Sequence, residues 1–355
     1  MKKLMMALTV AASFALAGAA HAEDKLKVGF IYIGPPGDFG WTYQHDQGRK
    51  QLEKELGDKV ETTFLENVPE GADAERAIER LARAGNQLIF TTSFGYMDAT
   101  NKVAQKFPKV KFEHATGYKT AENVAVYNSR FYEGRYVQGV IAAKMSKTGV
   151  AGYIGSFPIP EVVQGINSFM LGAQSVNPNF KIKVIWANSW FDPAKEADAA
   201  KALVDQGVDI ITQHTDSTAP MQVASERKIK AFGQASDMIK FGPETQLTSI
   251  VDNWGPYYIE RAKAVLDGTW KSHNVFEGMH EGLVVMAPYT NMPDDVKKLA
   301  EETQAKITSG ELKPFTGPIK KQDGSEWLKA GETADDKSIL SMNFYVAGVD
   351  DQLPK

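Results

Sequence analysis

The sequence predicts an α/β protein made of two similar lobes around parallel sheets, and two observations carry that prediction. From Lys25 onward, short apolar runs alternate with amphipathic helical stretches, a βαβ rhythm that closes near Tyr127 and then restarts. No long Pro/Gly/Ser segment separates the halves, so several short crossings should join them rather than one tether. A chain of 355 residues is also long enough for two domains.

In the first half, strands are read at 26–33, 61–65, 87–91, 110–115 and 124–127, with helices at 42–56, 72–84 and 97–107. The second half opens on a helix at 131–145 and strand 150–155. Helix 161–176, strand 182–187, helix 194–206, strand 208–213, helix 219–229 and strand 231–234 follow. The window Ala-Lys-Ala-Leu-Val-Asp-Gln-Gly-Val-Asp-Ile-Ile (200–211) shows the logic. A helix runs into Gly207, its stop residue, and a buried strand begins at once. The tail reads as a strand near 279–288, a helix at 294–309 and a polar, turn-rich segment at 317–331, without assigning itself to either lobe.

The N-terminus reads as an export signal over residues 1–22. Lys2 and Lys3 precede an apolar stretch from Leu4 to Gly18, and Ala20-His21-Ala22 forms a cleavage site with Glu23 as the mature start. The apolar stretch falls short of the roughly 20 residues that span a bilayer. There is no cysteine, so the expectation is a free periplasmic protein without a lipid anchor, a zinc–thiolate site or a cysteine nucleophile. Losing Lys2 and Lys3 moves the formal charge from −4 to about −6, which argues against nucleic acid as a partner. The six histidines (His21, His45, His114, His214, His273, His280) form no metal-binding pair, and neither a G-x-S-x-G nor a phosphate-loop motif is present. No catalytic residue, metal or cofactor is therefore expected, and the protein should not be an enzyme.

In open parallel sheets, ligands bind beyond the carboxyl ends of the strands. The segments in those places are 34–43, 92–96, 156–160, 188–192, 215–218, 236–237 and 252–254, and aromatic and small polar residues concentrate in them. That mixture suits a planar small molecule stacked between rings and hydrogen-bonded at its edge.

At these loops the chain resembles the BMP (basic membrane protein) family of ABC-transporter substrate-binding proteins, the group that includes purine-nucleoside receptors. The match rests on Gly-Asp-Phe-Gly-Trp-Thr-Tyr-Gln-His-Asp-Gln-Gly (37–48), Thr-Ser-Phe-Gly-Tyr-Met-Asp-Ala (92–99) and Phe-Tyr-Glu-Gly-Arg-Tyr-Val-Gln-Gly-Val-Ile-Ala-Ala (131–143). Ser-Trp-Phe-Asp-Pro-Ala-Lys (189–195) and Val-Val-Met-Ala-Pro-Tyr (284–289) add to it. The resemblance implies a type I periplasmic-binding fold, with two doubly wound parallel-sheet lobes and a multi-crossing hinge. It places 23–127 plus about 253–278 in an N-terminal lobe and 128–252 plus about 279–355 in a C-terminal lobe. It also implies a monomer that captures a small molecule and docks on an ABC permease in the inner membrane.

The two rings that clamp the base in nucleoside receptors fall on Trp41 and Trp190, and a ligand-contacting aspartate falls on Asp237. The ribose anchors, an aspartate and a lysine, fall on Tyr32 and Asp252, so both appear as losses, with Trp254 adding bulk nearby. The expectation is a free purine base, with Asp237, Asp252 and Asn253 at its edge. Phe94 and Tyr96 would line the cleft wall, and Asn128 would serve the hinge or the ligand. The alternatives are a purine nucleoside or sugar receptor, or from another class an exported nucleoside hydrolase.

Overall fold

The computed structural model describes residues 25–37 and 39–354. The expected export signal and its cleavage point lie outside the described residues. Among the described residues, no helix is long and apolar enough to cross a membrane.

The chain begins with β1 (Leu26–Ile31), α1 (Gly40–Leu56), β2 (Val60–Leu65), α2 (Ala72–Arg83), β3 (Leu88–Thr91), α3 (Met97–Lys106), β4 (Lys111–Ala115) and β5 (Val124–Ser129). It crosses into α4 (Phe131–Met145), β6 (Val150–Gly155), α5 (Pro160–Gln174), β7 (Lys181–Trp186), α6 (Pro193–Asp205), β8 (Ile210–Gln213), α7 (Ala219–Glu226), β9 (Lys230–Gly233) and β10 (Gln246–Asp252). It returns through α8 (Trp254–Leu266) to β11 (Asn274–Glu277). It then crosses again to β12 (Val284–Met286), α9 (Asp294–Thr308), the hairpin β13 (Ile319–Lys320) and β14 (Glu326–Leu328), and α10 (Asp336–Leu340).

Two six-stranded sheets result, ordered β11-β5-β4-β3-β1-β2 and β12-β10-β9-β8-β6-β7. Each is doubly wound: its first strand sits inside the order, flanked by its second and third. The strands pair in parallel except at β12, which runs antiparallel to β10. Strands β3 and β5 are buried at every position, which is why they read as continuous apolar runs. Gly207 closes α6 with φ 88°, a left-handed conformation that glycine adopts without a steric penalty.

The tail and β10 depart from the sequence reading. Strand 279–288 shrinks to Val284–Met286 because the preceding residues form the last crossing, folded back by Leu283 N–H bonding to Gly278 O. β10 has a broken apolar run, since Thr248 and Ser249 interrupt Leu247, Ile250 and Val251; both are buried and pass their hydroxyl protons to Ala287 O and Ser236 O. Segment 317–331 holds the β13–β14 hairpin rather than turns alone.

Several histidines are buried and neutral. Burial holds His114 on β4 down to about 3, and His273 down to about 4 with the Arg261 charge contributing. The unfolded chain protonates such residues below about 6.5, whereas the folded chain does so only near those lower values. Stability should therefore fall on acidification through the window between them, by up to about 1.4 kcal/mol per pH unit for each fully buried histidine. Melting curves between about pH 7 and 5 should show the fall, and His114→Asn should flatten it.

Candidate ligand-binding site

The carboxyl ends of the two sheets face each other across a cleft, and a small cavity lies between them. From the first lobe it is bordered by Ile33, Trp41, Ser93, Phe94 and Thr116, and from the second by Glu161, Trp190, His214, Asp216 and Gln234. These residues follow β1, β3, β4, β6, β7, β8 and β9, so the site straddles the point where each sheet reverses its winding.

Trp41 and Trp190 reach the cavity from opposite lobes. Trp41 is fixed by its indole N–H, which donates to Thr92 O at 2.9 Å, and it packs edge-on against Trp254 at 5.4 Å and His45 at 4.4 Å. Trp190 is tilted against Phe157 at 5.1 Å, and its indole N–H donates to Glu70 of the other lobe at 3.2 Å. Trp254 sits behind Trp41 rather than in the cavity wall. It stacks on His45 at 4.6 Å and 11°, is 1 % exposed, and its Nε1 has no partner.

The polar side of the site belongs to the second lobe. Asp252 ends β10, Gln234 follows β9, and His214 and Asp216 follow β8, so these groups emerge at neighbouring strand ends. Asp252 is 1 % exposed and neither carboxylate oxygen has a partner. Burial, then the charges of Glu161 and Asp216, push its pKa well above the ordinary carboxylate value, while Arg135 opposes the rise. Asp216 is raised in the same way by burial and by Glu196, with the Trp41 backbone N–H opposing. His214 is held neutral by burial, and Nε2 meets Glu161 at 3.2 Å while Nδ1 is buried without a partner.

Several sequence candidates lie elsewhere. Asp237 is not brought to the cavity: its carboxylate accepts from Ile239 N at 3.1 Å and Gln246 Nε2 at 2.7 Å, closing its own turn. Asn253 donates to Gly282 O at 2.9 Å and belongs to the hinge. Tyr96 is fully buried against α2 and donates to Val68 O. Tyr32 is buried too, with its phenol donating to Asp46 and its ring stacked on Phe64. Asn128 donates to Gly117 O and borders an adjoining chamber of about 810 Å³, which shares Phe94, Thr116 and Glu161 with the main cavity.

Sequence reasoning passed over Glu161, His214, Asp216 and Gln234. Asp216 and Gln234 stood at inspected strand ends, but a lone polar residue there looks like any cap or turn.

The lobes are closed on each other. Gly40 N–H donates to Ser236 Oγ at 2.8 Å, and Phe39 meets Phe241 edge-on at 5.1 Å.

Two doubly wound lobes with an aromatic-lined cavity in the cleft make a frame that can close around a small solute. Solved solute-binding proteins of ABC transporter systems share the fold. One from Aeropyrum pernix K1 has a TM-score of 0.72 at 20% identity, covering 88% of this chain and 95% of its own. One from Conexibacter woesei has 0.65 at 20%, covering 81% and 98%.

The chain belongs to the Bmp family, whose model, described as ABC transporter substrate-binding protein PnrA-like, matches residues 25–320. It is 81% identical over 350 residues to a purine-binding protein of Brucella abortus (strain 2308), covering 99% of this chain and all of that protein. It is 35% identical over 338 residues to a Haloferax volcanii protein named for ABC-transporter glucose binding, covering 95% and 83%.

Proposed function

We propose that this protein captures a free purine base between Trp41 and Trp190 in the interlobe cleft, outside the inner membrane, and delivers it to an ABC permease without transforming it. The observation that carries this reading is the pairing of two indoles from opposite lobes with the polar side chains of Glu161, Asp216 and Gln234 around one cavity. The rings supply a flat apolar slot, and the polar strand ends supply edge contacts. Closure is favoured because only the closed form lets one ligand touch both lobes. The high identity to a relative named as a purine-binding protein supports the same ligand class.

Neither expected ribose-anchor position presents a lysine or a free first-strand carboxylate, since Tyr32 is engaged with Asp46. A sugar left with unpaired hydroxyls would lose about 1–3 kcal/mol per buried group. The nucleoside reading has one observation in its favour, the adjoining chamber beside Asn128 and Thr116, which has room for a substituent.

Tryptophan fluorescence of refolded, ligand-free protein tests the clamp. Adenine or hypoxanthine should quench the signal. Trp41→Ala and Trp190→Ala should each weaken binding about 5- to 150-fold, since stacking contributes about 1–3 kcal/mol per base. The phenylalanine variants should retain most of the affinity. Unchanged affinity in both alanine variants would contradict the reading.

A further inference from the structure

The purine-base reading has an electrostatic consequence. Glu161 and Asp216 border the cavity, Asp252 is buried with neither oxygen partnered, the charges of Glu161 and Asp216 act on it, and that of Glu196 acts on Asp216. Glu70 adds a carboxylate at the rim, accepting from Ser93 at 2.6 Å and from Trp190. Against these stands one buried guanidinium, Arg135 on α4, which donates to Thr212 Oγ1, Gln138 Oε1 and Gln213 O at 2.7–3.0 Å and also to Gln234. The remaining titratable neighbours are neutral. His214 and His45 are held uncharged by burial, and the Tyr153 phenol beneath Arg135 is pushed up.

In an open cleft, water screens these carboxylates. Closure moves them into a low-dielectric space in which Asp252 has no hydrogen-bond donor at either oxygen. An uncharged base brings no cation to offset them.

We infer that closing over the base takes up one proton, which the Asp216–Asp252 pair holds, so that the site reads the base with a neutral carboxyl group. A neutral carboxyl presents one donor and one acceptor side by side. That pattern matches the amine–imine edge of adenine and the lactam edge of hypoxanthine. It repels a purine that has lost a proton, so ionised xanthine or urate should be rejected. Arg135, bonded to Gln234 beside Asp252, acts as a positioning residue that limits how many carboxyls must be neutralised. The linkage sign follows directly. The pair binds a proton more tightly in the closed, loaded form, so affinity is highest below the open-form value, falls as the pH rises from there to the raised value, and levels off beyond it.

The test is calorimetric titration of refolded wild-type protein with hypoxanthine and with adenine in phosphate, Hepes and Tris buffers at one pH. The slope of observed enthalpy against buffer ionisation enthalpy counts the protons exchanged. The expected slope corresponds to uptake of about one proton, and affinity should fall up to tenfold per pH unit toward the alkaline side. Asp252→Asn cannot titrate at that position, so whatever affinity it retains should show neither the proton uptake nor the pH dependence. If that variant does not fold, Asp216→Asn and the wild-type buffer series decide the matter. Tight binding with zero slope would overturn the proton linkage while leaving the purine reading intact. No binding of either base at any pH would overturn both.

Discussion

Gly40→Ala should abolish high-affinity binding, raising Kd by at least about 100-fold, while lowering the stability of the ligand-free protein by only about 1–2 kcal/mol. Gly40 opens α1 at φ 76°, and a Cβ there would sit 2.3 Å from the Asp216 carbonyl oxygen of the opposite lobe. Backbone cannot yield as a flexible side chain can, so the lobes must stay apart by about the width of a methyl group. The Gly40 N–H bond to Ser236 is lost in the same step. An open cleft leaves a base touching one wall, and the differential affinity that drives closure is gone. The left-handed backbone adds about 1–2 kcal/mol for any L-residue, in open and closed forms alike. Gly37→Ala is the control: its Cβ would meet nothing within 4 Å, and binding should be unchanged. Calorimetry gives the affinities, and small-angle scattering with and without ligand shows whether the variant still closes.

Arg135→Met should cost about 3–5 kcal/mol of folding stability, the largest stability effect expected from a single side chain in the second lobe. The guanidinium is fully buried, lies 5.3 Å above the Tyr153 ring and joins α4 to the ends of β8 and β9 through its bonds to Thr212, Gln213 and Gln234. Methionine fills most of the volume but leaves those acceptors unpaired in the core. It also removes the charge that opposes the rise in the Asp252 pKa. Arg135→Lys should not rescue, because a single ammonium cannot fork to Thr212, Gln213 and Gln234 together. Denaturant unfolding measures the loss.

How much of this was legible in the sequence depends on what each position asks of its residue. Strands such as β3 and β5 were readable because burial at every position forces near-continuous apolar runs, and the half-exposed edge strands β2 and β7 because turns and helices bound them. β10 was not, because its central Thr248 and Ser249 are buried with their hydroxyls satisfied by carbonyls far along the chain. Trp41 and Trp190 stood out because the family resemblance places the clamp rings on them, in strand-end loops already rich in aromatics. The polar residues did not separate so cleanly. Asp237 and Asp216 look alike as loop aspartates, yet one closes its own turn and the other borders the cavity. Only the fold shows which backbone N–H groups lie within reach, and that decides whether a carboxylate is engaged locally or left for a ligand. Asp252 reads in sequence as a vanished ribose anchor, whereas the fold buries it at the end of β10 with both oxygens unpartnered.

The central claim is capture of a free purine base, and the most direct measurement is calorimetric titration of refolded, ligand-free protein with adenine, hypoxanthine, adenosine, inosine and glucose under one condition. The account predicts saturable binding of the bases at one site per chain. It predicts nucleosides at least about tenfold weaker, as expected if one or more ribose hydroxyls are left unpaired, and no measurable glucose binding. Adenosine or inosine binding tighter than its base would contradict the claim, as would glucose saturating the site while the bases do not.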